Sequence, residues 1–282
     1  AAFLPEAVNA IRGQSWQAKE LIVLDDASTD GSGEMLLDMQ LHDRALRVIC
    51  KEKNEGTIAA MNQGLAVARG QYICFAAADD RVLPGFFKTA MDMLLKHPSA
   101  GFCSGLSTLI DPSGREVGRC RVPMPNGKPC FLSPRQARSL LIRRGPWFMG
   151  NTSIFRRDLL VALGGFRPEM DSYTDSFTSI VMALVAGACF VPRSFSAWRR
   201  MESGLAAKTG SNLDRADEIA TRARAAFEDE YSQLFDPEFL DAWESRWRFG
   251  VLAAFLLVSD AAPRSIESFE TRLSSADARR VQ

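Results

Sequence analysis

The chain has 282 residues, room for one large α/β domain or one domain with an extension. Lys plus Arg and Asp plus Glu are 34 each, so no basic field marks a nucleic-acid partner. The six cysteines form no C-x-x-C pair and read as small core residues of a reducing compartment, and two histidines are too few for a histidine-rich metal site or a histidine-based triad.

The chain opens on Leu4-Pro5-Glu6-Ala7-Val8, already the pattern of a helix, with no signal peptide or apolar strand ahead of it. Leu21 to Leu24 is a short apolar run of the kind buried on both faces of a parallel sheet, and it ends in Asp25 and Asp26. Ser28, Thr29 and Asp30 follow as candidate caps for a helix beginning near Ser32. A helix over 34–41, a strand over 46–50 and a helix over 56–68 come next, the last with Ile58, Met61, Leu65 and Ala68 on one face. Gln71 to Ala78 is a second apolar run ending in two acids, Asp79 and Asp80. Ligands of open α/β sheets sit beyond the strand tips, and two acidic tips in one crevice suit a hard divalent cation able to take a diphosphate. As a lone feature, an Asp-Asp pair is equally an ordinary strand-to-helix turn.

Helix 86–95 and strand 100–109 lead to the turn Asp111-Pro112-Ser113-Gly114. Residues 115–129 lack a period and read as a surface hairpin or a mobile loop. A helix from Ser133 to Arg144 precedes Gly145-Pro146-Trp147-Phe148-Met149-Gly150-Asn151, and Asp171-Ser172-Tyr173-Thr174-Asp175 opens another helix reaching about Ala186. A short strand over 187–192 ends the α/β pattern. Helices are expected over 213–231 and 237–259, the second with a stripe of Leu240, Trp243, Trp247, Val251, Ala254 and Val258. That stripe packs on the rest of the chain or a partner, the alternative being an interfacial membrane contact; its apolar run is too short to span a bilayer. Residues 264–282 are polar.

Asp25-Asp26-Ala27-Ser28-Thr29-Asp30-Gly31, Asn54-Glu55-Gly56, Asn62-Gln63-Gly64, Ala68-Arg69-Gly70-Gln71-Tyr72-Ile73, Asp79-Asp80 and Gly164-Gly165-Phe166, in that order, resemble the motifs of family 2 glycosyltransferases of the GT-A fold. The resemblance covers the chain to about Arg200. It implies an α/β domain over 1–200, a mostly parallel sheet flanked by helices, followed by a helical extension over 201–282. Relatives carry a leading strand before the first helix, so the chain reads as a fragment or truncated form lacking that strand.

The resemblance further implies that Asp26 contacts the nucleotide base, with Ser28 and Asp79 in the nucleotide site and Asp79 the ligand of Mg²⁺ or Mn²⁺. Trp147, Gly150, Asn151 and Asp80 then border the sugar and acceptor, with Trp147 either stacking on a sugar or simply filling the core. Asp175 becomes the candidate general base of an inverting transfer and Asp171 the second choice, although an acid at a helix start is also an ordinary cap. Arg199 and Arg200 are candidates to lie near the diphosphate. Two departures stand out: Ala77 where relatives have the first acid of Asp-x-Asp, and Met61 where they have an Arg that reaches the nucleotide.

The expected activity is therefore transfer of a sugar from a nucleoside diphosphate donor to a glycan or lipid-linked acceptor in envelope polysaccharide or glycolipid synthesis, in the cytoplasm or at the inner face of the membrane. A pyrophosphate-forming sugar-nucleotide transferase would want a Gly-rich triphosphate loop with a Lys, which is not seen. Ala77 and Met61 favour a second class, a degenerate nucleotide- or glycan-binding module without turnover.

Overall fold

The computed structural model of the chain describes residues 1–43, 45–201 and 212–258. Helix α1 is Leu4–Arg12, with Pro5 in its first turn, where a missing N–H costs nothing. Strand β1 (Leu21–Asp25), helix α2 (Ser32–His42) and strand β2 (Leu46–Cys50) form a crossover unit, its strands paired in parallel from Leu21 opposite Leu46 to Asp25 opposite Cys50. Helix α3 (Thr57–Val67) leads to β3 (Tyr72–Cys74), β4 (Arg81–Val82), α4 (Phe86–Lys96), β5 (Phe102–Ile110), β6 (Glu116–Arg119) and β7 (Cys130–Leu132). Then come α5 (Pro134–Arg144), β8 (Ile154–Arg156), α6 (Arg157–Ala162), α7 (Thr174–Ala186) and β9 (Ala188–Arg199), with two helices, α8 (Leu213–Glu230) and α9 (Pro237–Val258), after them. A single 3₁₀ turn occupies Gly150–Thr152, and two 3₁₀ segments meet at a kink at Asp171 within Pro168–Tyr173.

The larger sheet has the order β3-β8-β5-β9-β4, with β6 added to β5 and β7 to β9. The α/β class stands, but the pairing is mixed: β1–β2 and β5–β9 are parallel, whereas β3–β8, β5–β8, β5–β6, β7–β9 and β4–β9 are antiparallel. The turn at Asp111, far too short for a crossover, gives β5–β6 no choice but antiparallel pairing. β5 and β9 are buried along most of their length, although Ser104, Ser107 and Thr108 in β5 and Arg193, Ser194 and Ser196 in β9 interrupt their apolar runs. Phe102, Ala188 and Phe190 face α5 and α7, and the alternate residues Cys103, Cys189 and Val191 face α4.

Among the described residues β1 and β3 each pair on one side, with β2 and β8, and the two sheets meet through Glu20 and α3. Oε1 of Glu20 accepts the Arg69 and Gly70 amides at 2.6 and 2.9 Å. The open edge explains why Leu21 to Leu24 are only half-buried, against the expected burial on both faces. The expected strand over 71–78 also stops early. Its partner β8 is three residues long, so pairing ends at Cys74 opposite Ile154 and Ala76 to Ala78 are exposed in the loop that carries Asp79 and Asp80. Conversely β9 runs seven residues past the expected end at Pro192, because β5 offers a partner as far as Arg199.

The α9 stripe turns inward: Leu240 and Trp243 are buried, Trp247 packs at the edge of the same core, and Trp243 donates its indole N–H to the Tyr173 hydroxyl. Phe227 of α8 stacks on Phe177 of α7 with ring centroids 4.5 Å apart. The side chains of Ala254 and Val258, and the polar stretch 264–282, lie outside the described residues. No helix among the described residues is long and apolar enough to cross a membrane. All six cysteines are free; Cys103 and Cys189 are buried, while Cys50 is exposed at the tip of β2.

Gly105 sits at an irregularity in the β5–β9 pairing, where a Cβ would lie 2.5 Å from Cδ2 of Phe195 and 2.8 Å from the Arg193 carbonyl. Gly105→Ala is expected to lower the unfolding free energy by about 1–3 kcal/mol in urea titration, the cost of overfilling a packed core.

Candidate active site

β1 delivers Asp25 and Asp26 to its carboxyl end, and their environments differ. Asp25 is buried, and its Oδ2 accepts the Ser28 amide at 3.3 Å, bracing the turn, in which Ala27 takes φ 59°. Ser28 therefore enters through its backbone. The cap of α2 is Gly31 in the left-handed region, and the Asp30 carboxylate accepts the Ser32 amide beside it. Asp26 reaches across to the segment before α3. Oδ1 accepts the Glu55 amide at 3.0 Å and Oδ2 the Gly56 amide at 2.7 Å, while Nζ of Lys51 lies 2.6 Å from Oδ1. Partial burial pulls the Asp26 pKa upward, but Lys51 and the two amides outweigh it and hold the carboxyl below its ordinary value. Lys51, just past β2, also pairs with Glu55 at 2.9 Å, and with Glu52, Lys53, Glu55 and Gln63 it lines an open cleft of about 450 Å³. Nothing in the sequence singled out Lys51; only its position opposite the tip of β1 does. Met61 packs against the core and donates nothing to this cleft.

Asn62 of the Asn-Gln-Gly run has a structural task. Its side-chain amide pairs with the Phe166 backbone, donating to the carbonyl at 2.6 Å and accepting the amide at 2.8 Å, which ties α3 to the Gly164-Gly165-Phe166 turn.

The second acidic tip is Asp79-Asp80. Asp80 is buried; Oδ1 accepts the Arg199 amide at 2.9 Å and Oδ2 the Asn151 side-chain amide at 3.3 Å. Burial, helped by the neighbouring Asp79 charge, pushes its pKa up to about 6 against those two donors. Asp79 is partly exposed. Among the described residues no group of three or more His, Cys, Asp or Glu gathers as a metal cage.

The 3₁₀ turn Gly150–Thr152 joins this loop to the start of α7. Thr152 is anchored on β5 by its hydroxyl, 2.9 Å from that of Ser104, and Asn151 faces Asp80. The Gly150 amide donates to Oδ2 of Asp175 at 3.1 Å, and the Ser176 amide to Oδ1 at 2.7 Å. A Cβ on Gly150 would collide with that carboxylate, so glycine is required for the approach. Burial raises the Asp175 pKa above the ordinary carboxylate value, against the amides that lower it. One dipeptide, Gly150-Asn151, thus bridges the acidic loop and the candidate base.

The other candidates part from this group. Asp171, at φ 50° and ψ −132°, receives Nε of Arg215 at 2.6 Å and serves to hold α8. Trp147 is 0% exposed and packs edge-on to Phe148, so it is a core residue and not a sugar platform. The Arg199 guanidinium is buried and its donors go to protein acceptors rather than toward a diphosphate.

An α/β sheet with acids at two strand tips, a carboxylate at a following helix start and helices closing the far side is the architecture of the GT-A glycosyltransferases. Solved structures share it. TarS of S. aureus, crystallised with UDP-GlcNAc, aligns over 90% of this chain and 78% of its own with TM-score 0.57 and 17% identity. The mannosyltransferase PcManGT of Pyrobaculum calidifontis, in complex with GDP-Man and Mn²⁺, aligns over 99% and 79% with TM-score 0.58 and 20% identity. At those identities the likeness is one of fold. The glycosyltransferase GlyG of Streptococcus pneumoniae serotype 4 is 38% identical over 87 residues, 31% of this chain and 29% of GlyG. The family model for glycosyl transferase family 2 matches residues 1–158, more than half of the chain, and the chain belongs to that family.

Proposed function

We propose that this chain transfers a sugar from a nucleoside diphosphate donor to an acceptor hydroxyl with inversion at the anomeric carbon, in the assembly of a polysaccharide or glycolipid. The reading rests on one observation above all, the Gly150-Asn151 dipeptide, which hydrogen-bonds Asp175 through one residue and Asp80 through the next. Asp175 takes the proton from the acceptor hydroxyl as its oxygen forms the new bond to the anomeric carbon; the bond from that carbon to the phosphate oxygen breaks and the diphosphate leaves with the electron pair. The raised Asp175 pKa suits a base, since a more basic carboxylate accepts the proton more readily. Asp26, kept ionised by Lys51 and two amides, retains acceptor capacity at Oδ2 for an N–H of the base.

The residues fit a divalent cation held at one carboxylate. Asp80 is buried and each of its oxygens accepts a protein donor, whereas Asp79 is partly exposed and Ala77 supplies no carboxylate, so Asp79 is the first choice of ligand, with water and donor phosphate oxygens completing the shell of Mg²⁺ or Mn²⁺. When bound, such an ion offsets the charge that develops on the leaving diphosphate. PcManGT, with Mn²⁺ beside its GDP-sugar, and TarS, with its UDP-sugar, lend support by fold. Ala77 keeps a second reading in play, a binding module without turnover. Calorimetry with UDP, GDP, dTDP and CDP, with and without Mn²⁺, tests both. The expected result is binding of one nucleotide that Mn²⁺ strengthens and that Asp79→Ala weakens by about tenfold or more. Absence of binding by the folded chain overturns the site, and binding without sugar transfer to any acceptor, or hydrolysis of the donor, favours the module.

A further inference from the structure

Arg199, the last residue of β9, is 2% exposed although it carries a full charge, and each of its contacts lands on a segment bordering the acidic loop. Its backbone amide donates to Oδ1 of Asp80 at 2.9 Å. Nε donates to the Asp79 carbonyl at 2.8 Å. Nη1 donates to the carbonyls of Asp111 and Pro112 at 3.2 and 3.1 Å, in the turn after β5. Nη2 donates to Oε2 of Glu6 at 2.6 Å, and the guanidinium lies 4.2 Å from the ring centroid of Phe3, before α1. Oε1 of the same Glu6 takes Nη2 of Arg81 at 2.7 Å, so α1 grips both ends of the Asp79-Asp80 segment through one carboxylate.

From this we infer that Arg199 is the positioning residue of the acidic loop: it touches no substrate and acts by fixing the backbone at Asp79 and the carboxylate of Asp80. The inference rests on the functional reading above, in which Asp79 holds the cation. The loop needs such a device because β3 ends at Cys74 and Ala76 to Ala78 run exposed, with no strand partner, up to Asp79. A site that gives its cation a single carboxylate depends more on where that carboxylate stands than a site with two, since no second ligand corrects a displaced first one. Only a planar fork satisfies three carbonyls and a carboxylate at once. A lysine, with one nitrogen, holds the charge but not the geometry.

The test is the ratio of nucleotide affinity with Mn²⁺ to affinity in EDTA, measured by calorimetry on the full chain, for the wild type, Arg199→Lys and Glu6→Gln. General loosening of the fold lowers both affinities and leaves the ratio in place; displacement of Asp79 lowers the ratio. The expected result is a ratio reduced about tenfold or more in Arg199→Lys, the usual effect of removing a partner that orients a metal ligand. Glu6→Gln, which keeps an amide oxygen as acceptor and leaves the carbonyl acceptors of the guanidinium in place, is the milder change and is expected to reduce the ratio about threefold, one hydrogen bond's worth. A folded Arg199→Lys with the wild-type ratio, or Glu6→Gln with it, overturns the inference and leaves the functional reading intact. A wild type that binds no nucleotide overturns the reading and the inference with it.

Discussion

Asp175→Asn is expected to lower sugar transfer by at least about 10²–10⁴-fold, the range of a lost general base, and to leave nucleotide affinity unchanged. The Gly150 and Ser176 amides bond different oxygens of Asp175, so the asparagine carbonyl keeps one of them as a partner while the other hydrogen bond and the proton acceptor are lost. The same substitution carries a stability signature. Burial raises the folded-state pKa of Asp175 above 3.8, so the native chain binds more protons than the unfolded one between that value and the raised one. By linkage, the contribution of this group to stability is fully present below the unfolded pKa and is lost as pH rises through the folded pKa. Wild type should therefore lose stability relative to Asp175→Asn as pH is raised across that window, read by urea titration of both proteins. The acid limb of the pH–rate profile should sit above the ordinary aspartate range for the same reason. A variant that keeps more than about a tenth of wild-type activity would move the base elsewhere, since even a modest general base contributes more than that.

Trp147→Ala is expected to cost about 3–5 kcal/mol of unfolding free energy, the range for emptying a core site of a large aromatic. Trp147 is 0% exposed and its indole N–H is buried without a hydrogen-bond partner among the described residues. Trp147→Phe removes that unsatisfied donor along with some volume and should therefore cost clearly less than the alanine variant. A sugar-stacking tryptophan behaves in the opposite way: its removal spares the melting transition and raises KM for donor or acceptor. Chemical denaturation beside steady-state kinetics separates the two outcomes.

Much of the fold was legible because its signals are local. The β1, β2 and α3 segments fall within a residue or two of expectation, since an apolar run bounded by acids or glycines leaves a short segment few alternatives. Helix α5 was equally clear: Ser133 and Gln136 close a capping box at its start. What failed were statements that depend on a partner strand. β3 is shorter than its apolar run because β8 is short, β9 is longer because β5 continues, and the half-burial of β1 follows from an edge with no neighbour among the described residues. Hydrophobicity says that a segment prefers to be covered; it does not say what covers it, and Trp147 went from candidate platform to core residue on that point alone.

The sequence by itself determined the family, the two acidic strand tips and the carboxylate at the start of α7, because each is written in contiguous residues whose chemistry needs no distant partner. Tertiary structure decided which partners each of those acids meets. Asp25 braces its turn, Asp80 is buried and accepts from Arg199 and Asn151, Asp171 is paired with Arg215, Asp79 stays partly exposed, and Asp175 accepts the Gly150 and Ser176 amides. The physical reason is that a carboxylate's role depends on which donors reach it. Those donors come from residues as far as 119 positions away, a separation no local pattern encodes.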